Sequence, residues 1–558
     1  MQSTFQVQHS VNPFASRYGG EQEGKLRLSR SGRKFLTQWR NAAPLAKLRD
    51  VGKLLVRIDG KQFALFDTPQ GVKACDNRCP HEGYPLTEGS LTEDCVLTCN
   101  WHNWKFDLCT GENVYGGDRL RVYPLEVRGD DVWIDLAEPP YEDRHATIVA
   151  SLHDAFNDHA YDRLAREIAR LIKLGADPLD CLRLAVDWSW DRMEFGWTHG
   201  YAGMADWLTL YQEREQAELR LVCLVESVAH AAFDVLRAPR FPFSDAITAF
   251  DEQTFLRAIE NEDHAGAIAA IRGGLRDGLR FLDFEPALTR AALAHYNDFG
   301  HSLIYVSKAG SLIDRLGDPV AEPLLLSLVR GLLYATREDR IPEFRRYADA
   351  LREWSEGEDG TVSAEHWRYR GINAALDLAV SVSGNEPLDI YRALLEANAV
   401  NFLNFDIAQE DKVQVSVSGN VGWLDFTHGI TFANAVRKQC MRFPELWPQG
   451  LLQMACFSGR NAAFTTQNDM FDNWHVTDID AWIDELVERL FDHGLGEYIV
   501  SVHWLKTTLA VREELAEAVP QHLREVLAAA LNRFVNSPLK RRRARRTAYQ
   551  SLQFVGKG

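Results

Sequence analysis

The sequence predicts a multidomain protein, a small all-β domain followed by a large all-α domain. Three observations carry that expectation. The chain has 558 residues, well beyond the ~150 of one ordinary domain, so it divides into three or four units, or into two of which one is large. Its composition, 46% hydrophobic and 25% charged with 20 Pro and 38 Gly, is that of a folded chain able to bury a sizeable core. The hydrophobic period then changes once along the chain. Residues 53–58, 62–66 and 132–136 are short β-branched or aromatic runs bounded by turn signals at Asp59-Gly60, Gly116-Gly117 and Gly129-Asp130-Asp131. Beyond Ala137-Glu-Pro-Pro-Tyr141 the spacing becomes helical, as in Leu164, Ile168, Leu171 and Ile172 before Gly175, and Ile479, Trp482, Ile483, Leu486 and Leu490 before Gly494.

Taken in order, residues 1–34 read as an arm rich in Ser, Gly and charge, 35–137 as the β domain, 138–150 as a linker, 151–535 as the helical domain and 536–558 as a basic tail. The formal net charge of −17 repels nucleic acid and anionic membrane over most of the surface. The exception is Lys540, Arg541, Arg542, Arg543, Arg545 and Arg546, read as a solvated run, with docking on an acidic protein or an anionic ligand as the alternative. Apolar stretches such as Pro323 to Leu333 are interrupted well short of the ~18 residues of a membrane span. The first residues lack the basic start and apolar core of a secretory signal, so a cytoplasmic protein is expected. In that compartment the nine cysteines are free, catalytic or metal-bound rather than a disulfide framework.

Cys75, Cys79, Cys95, Cys99 and Cys109 crowd into 35 residues, whereas Cys181, Cys223, Cys440 and Cys456 are scattered along apolar segments as core thiols. Cys79-Pro80-His81 and Cys99-Asn100-Trp101-His102 supply two thiolates and two imidazoles from paired loops. Such a set suits tetrahedral zinc. It equally suits a [2Fe–2S] cluster with both thiolates on one iron and both imidazoles on the other.

The segment from Cys99 to Glu112, with Trp101-His102, Trp104, Phe106-Asp107 and Thr110-Gly111, resembles the second cluster loop of Rieske ferredoxins and ring-hydroxylating oxygenases. The resemblance runs from about residue 36 to 136, through Tyr123-Pro124-Leu125 and Val132-Trp133-Ile134. It implies a Rieske [2Fe–2S] cluster on Cys79, His81, Cys99 and His102, with Cys75, Cys95 and Cys109 outside the ligand set. Asn103 stands where the family usually has glycine. Neither Asn103 nor Lys105 offers a hydroxyl to the cluster sulfurs, so the lower end of the Rieske potential range is expected.

A cluster moves single electrons and does no organic chemistry by itself, so the helical domain uses, receives or senses the electron. His153 and His159 have the spacing of a Rieske-oxygenase iron pair, but Ala150 stands where that site needs an acid, and the chain beyond is helical. Phe156-Asn157-Asp158-His159, with the helix running to Leu174-Gly175-Ala176-Asp177-Pro178, instead resembles the opening of the questin oxidase family, helical enzymes that oxidatively open aromatic polyketide rings. Gly300-His301-Ser302-Leu303, then Asp425-Phe426-Thr427-His428-Gly429, then Ser501-Val502-His503-Trp504-Leu505-Lys506 are similar to its later motifs, in the same order. The resemblance covers roughly residues 150–520 and implies non-haem Fe(II) on His159, His301, His428 and His503, drawn from four helices. Lys506 lies one turn after His503. As an ammonium it would repel a metal. Buried beside a cation its amine loses the proton and adds carbon dioxide, giving a carbamate oxygen ligand, whereas on the solvent side it would do neither. His428 and Lys506 are thus the expected catalytic residues.

The expected whole is an iron-dependent oxygenase in which the cluster feeds electrons to an iron that activates O2 against a hydrophobic, aromatic or polyketide-like substrate. Trp423, Phe426, Trp504 and the Trp474-His475 region are candidate pocket walls. With no G-x-G-x-x-G or flavin-binding region, an external ferredoxin or flavin reductase is implied; a homo-oligomer is left open. Two alternatives stand beside it: a Rieske electron carrier or redox sensor with a helical docking scaffold, and a diiron oxidase through Glu226 and His230, spaced i,i+4. His199, in a Trp197-Thr-His-Gly segment locally like Phe426-Thr-His-Gly, and that pair each stand as a replacement for His301 or as the site of a second metal.

Overall fold

The computed structural model describes residues 26–28, 34–235, 239–294, 300–337, 340–466, 468–517 and 519–556; most of the expected N-terminal arm lies outside them. The chain divides into two compact units, Met1–Ser151 and Leu152–Gly558. A small β domain is thus followed by a large helical region, as the change of period predicts.

In the first unit, Lys53–Ile58, Lys61–Phe66, Lys73–Asp76 and Val122–Tyr123 form one four-stranded antiparallel sheet. Ser90–Leu91, Val96–Thr98, Lys105–Asp107 and Asn113–Tyr115 form a second, and Trp39–Pro44, Asp131–Asp135 and Leu125–Arg128 a three-stranded third. The Asp59-Gly60 turn, with both residues at positive φ, closes the 53–66 hairpin as its sequence signals. Two small cores result. One gathers Phe63, Leu65, Val132 and Ile134; the other surrounds Cys79 and Cys99 with Phe66, Leu86, Leu97 and Phe106.

In the second unit, four helices form a closed ring. His199–Glu213 packs on His301–Leu316, which packs on Trp423–Arg442, which packs on Tyr498–Ala516, which returns to the first. The Tyr498 helix buries residues on nearly every face, the pattern of a helix inside a core rather than on its surface. No described helix is long and apolar enough to cross a membrane.

Two stretches differ from their reading in the sequence. The expected linker is helical from Tyr141 on, since Tyr141–Asn157 is one helix. The basic tail is not simply solvated: buried Glu410 takes Arg543 at 2.7 Å, and Ala544–Gly556 is a helix whose Arg546 is buried and donates to Asn420.

The entry to the His199 helix is fixed by a close crossing. Gly196 has φ 95°, and a Cβ there would lie 2.1 Å from the Ser327 carbonyl oxygen, while the Trp197 indole N–H donates to the Leu324 carbonyl at 2.8 Å. Gly196→Ala should therefore destabilise the helical unit by more than the about 1–2 kcal/mol of a left-handed L-residue. Thermal unfolding should show a lowered helical transition with the β unit's transition unmoved.

Candidate functional site

The β unit presents its four expected ligands from two loops with one backbone plan. The Cys79 N–H donates to the Tyr84 carbonyl at 2.9 Å and the Gly83 N–H to the Cys79 carbonyl at 2.8 Å; the Cys99 N–H donates to Trp104 at 2.7 Å and the Asn103 N–H to Cys99 at 2.9 Å. Gly83 and Asn103 occupy the same place in each loop, at φ 78° and 62°. Asn is among the few non-glycine residues that tolerate this region, so Asn103 does the work of the glycine it replaces.

Cys79 and Cys99 are buried, whereas His81 and His102 are more open, with ring centroids 4.8 Å apart. His81 also stacks on Trp104 at 4.4 Å. Burial, with the neighbouring Cys99 thiol adding to it, pushes the Cys79 thiol up to about 11. Two buried thiols side by side become thiolates readily when a cation takes the place of their protons, which pass to solvent. This donor set, sulfur inside and imidazole outside, fits a [2Fe–2S] cluster of mixed ligation. Cys75 and Cys95 are buried away from solvent and Cys109 is exposed; the Cys95 thiol lies 3.3 Å from the Thr68 hydroxyl. Glu82, not singled out in the sequence, stands 3.9 Å from the His81 Nε2 and 3.7 Å from the His102 Nδ1.

The helical unit brings together a second group. His199, His301 and His428 offer ring nitrogens within 4.8 Å of one another. The His301 Nε2 is 2.9 Å from that of His199 and 2.8 Å from that of His428, and the His503 Nε2 is 3.3 Å from that of His428. His199 and His301 are the first residues of their helices; His428 and His503 are the sixth of theirs. Tautomers follow from the backbone. The Nδ1 of His428 faces the Leu424 carbonyl at 2.6 Å and that of His503 the Ile499 carbonyl at 2.5 Å. Since a carbonyl only accepts, both Nδ1 atoms carry the hydrogen, and in a neutral ring the Nε2 is then bare. Burial first, and Lys506 next, hold His199, His428 and His503 well below the usual histidine range, so these rings are neutral. Two nitrogens without hydrogen thus face each other at 3.3 Å, with the His301 Nε2 2.8 Å from that of His428, a set of donors that could hold a cation.

Lys506 is buried, which removes the solvent-facing reading, and its Nζ lies 3.2 Å from the His428 Nε2. Burial lowers its amine to about 7, against the pull of Asp206. Asp206 is itself buried and paired with Lys308, and its second oxygen has no partner among the described residues.

His159 does not join this group. It is exposed just beyond the end of its helix at φ 53°, and its ring contact is with Phe233, at 6.5 Å. His199 stands in the group instead, alongside His301 rather than in its place. The Trp197-Thr-His-Gly likeness was the available signal. Glu226 accepts from the Tyr161 hydroxyl at 2.7 Å and lies 3.4 Å from His493, while the His230 Nε2 lies 3.6 Å from Asp234. That pair is engaged by separate partners and belongs to no metal-sized cluster among the described residues.

The fold and paired loops of the β unit define a small iron–sulfur electron-transfer module. Residues 38–124 match the family of the Rieske [2Fe-2S] domain, and through them the chain belongs to that family. It is 30% identical over 102 residues to the naphthalene 1,2-dioxygenase system ferredoxin component of Pseudomonas aeruginosa, covering 18% of this chain and 97% of that protein. It is 36% identical over 100 residues to the 3-phenylpropionate/cinnamic acid dioxygenase ferredoxin subunit of Shigella boydii, covering 17% and 92%. The 4beta-methylsterol monooxygenase of Methylococcus capsulatus is 32% identical over 100 residues, 16% of this chain and 27% of that protein. Among solved structures, the ferredoxin of carbazole 1,9a-dioxygenase from Nocardioides aromaticivorans IC177 covers 18% of this chain and 99% of its own, at 22% identity and a TM-score of 0.17.

A chain of residues 36–140 should fold alone and, after anaerobic reduction, give the electron paramagnetic resonance signal of a Rieske cluster. His102→Cys should change that signal while leaving a cluster bound; binding of zinc alone would contradict the ligand assignment.

Proposed function

We propose that the chain is a Rieske-type non-haem iron oxygenase whose helical unit, similar to the questin oxidase family, holds a mononuclear iron on His199, His301, His428 and His503. The observation that carries this reading is the pair of bare Nε2 atoms on His428 and His503, locked toward each other by backbone carbonyls. Imidazole is a common ligand of iron, and four neutral rings from four helices make a donor set for a divalent cation with room for exchangeable positions. When bound, the cluster supplies single electrons and the iron supplies the place where dioxygen is activated against a hydrophobic, aromatic substrate. The chain's own residues do the rest. Leu424 and Ile499 orient two rings through their carbonyls, and the four-helix ring keeps the nitrogens out of bulk water. Lys506, as a neutral amine, takes up carbon dioxide to form a carbamate and releases one proton, which turns a repelling cation into an oxygen donor. An external ferredoxin or flavin reductase supplies the electrons.

The ferredoxin components among the relatives favour a second reading, an electron carrier with a helical scaffold. Metal analysis of the purified protein separates the two. About three irons per chain are expected for the oxygenase and about two for the carrier, since the cluster holds two; about four would return the diiron alternative. His428→Ala and His199→Ala should each lose the third iron and substrate oxidation while the Rieske signal stays, whereas His159→Ala should keep all three.

Lys506→Ala should lower helical-site iron or abolish oxidation with the cluster spectrum unchanged, and formate or acetate should restore part of the activity by supplying the missing oxygen donor. Full iron occupancy and wild-type turnover in that variant would remove Lys506 from the site.

A further inference from the structure

The basic run near the C-terminus is not absorbed by the reading above, yet the fold places it beside the histidine group's supports. A cavity of about 390 Å³ opens at the start of the Trp423 and Tyr498 helices. Its wall includes Leu424 and Ile499, the two residues whose carbonyls hold the rings of His428 and His503. At 1.5 Å per residue, His428 lies about 7.5 Å along the helix from Trp423. The lining is also cationic, with Lys540, Arg541, Arg543 and Arg546 in it.

The donors here exceed the acceptors. Glu410 and Asp425 are the carboxylates in the lining, and both are engaged: Glu410 by Arg543 at 2.7 Å and the Lys540 N–H at 3.1 Å, Asp425 by the Gly422 N–H at 2.9 Å and Arg460 at 3.3 Å. Arg546 is 4% exposed, donates to the neutral Asn420 amide oxygen at 3.4 Å, and has no carboxylate within ion-pair distance among the described residues. Arg541 is exposed and has no ion pair among them either. The Nε of Arg543 and the indole N–H of Trp423 are buried without a partner among the described residues. Burying a guanidinium without a counter-ion is unfavourable, and two helix N-termini add positive potential to the same space. An acceptor of negative charge with an apolar body satisfies both kinds of lining residue at once: oxygen on the arginines, rings against Trp423, Leu424 and Ile499.

We propose that this cavity binds an aromatic carboxylate. Its place as the oxygenase substrate rests on the function proposed above; the binding itself does not. The ligand's charge sets it in register beside the first turns that carry His428 and His503, and the tail helix is then part of the substrate site rather than an appendage.

The test is calorimetric titration of the full-length protein with 2-naphthoate, naphthalene and inorganic phosphate. Binding is expected for 2-naphthoate and much weaker for the other two. Arg546→Gln should weaken 2-naphthoate about ten- to a hundredfold, the worth of a charge-assisted hydrogen bond. Arg541→Ala, at an exposed position that leaves the fold alone, should weaken it severalfold, with iron content unchanged in both variants. Equal binding of naphthalene and 2-naphthoate, equal binding of phosphate, or wild-type affinity in Arg541→Ala and Arg546→Gln would each overturn the assignment. Tight 2-naphthoate binding to protein with only the two cluster irons would support the cavity while overturning the function proposed for the histidines.

Discussion

Two backbone carbonyls govern the helical unit's chemistry. By accepting from Nδ1 of His428 and His503, Leu424 and Ile499 decide which ring nitrogen is bare and where it points. Each contact is made within one helical turn, between residues four apart, so the tautomer is fixed by the helix itself and survives small movements between helices. The burial that keeps the rings neutral also brings the His301 Nε2 and the Lys506 Nζ within hydrogen-bond reach of the His428 Nε2. The closed ring of four helices gathers these ring nitrogens and the Lys506 amine into one buried group.

What was legible in the sequence depended on whether ligands were neighbours along the chain. The cluster loops were readable because each supplies its Cys and His within four residues, and even the departure at Asn103 is absorbed by a residue type that accepts positive φ. His301, His428 and His503 were legible through short motifs at helix starts or one turn inside them. His159 was misplaced because its helix ends at Asn157, leaving its side chain to solvent, and spacing alone does not say which side of a chain end faces the core. His199 carried a usable signal in its resemblance to the His428 segment, weakened by its being a single tetrapeptide. The tail was read by charge alone. What the sequence could not reveal is that Glu410, over a hundred residues away, receives Arg543.

Around the histidines the charges are arranged in a graded way. Lys308 answers Asp206, and Lys438 answers Glu513 at 2.5 Å. Asn434 joins Glu513 to Glu514 at 2.9 Å each, and Arg437 holds Glu514. The pairs of Glu513 and Glu514 join the Trp423 and Tyr498 helices, and that of Lys308 with Asp206 joins the His301 and His199 helices, so the rings sit in an interior whose charge is balanced pairwise rather than depleted. Lys506 is the exception, with a lowered amine and no carboxylate in contact among the described residues.

The position of each histidine within its helix divides the set by stiffness. His428 and His503 are embedded a turn and a half inside long helices, whereas His199 and His301 are the opening residues of theirs, reached through Thr198 and through Gly300 at φ 79°. Helix interiors resist displacement, while first turns yield to it at far smaller free energy. A cation seated here would rest on two rigid posts and two compliant ones. Any change in its coordination number would then be taken up at His199 and His301, the side where two helices happen to begin.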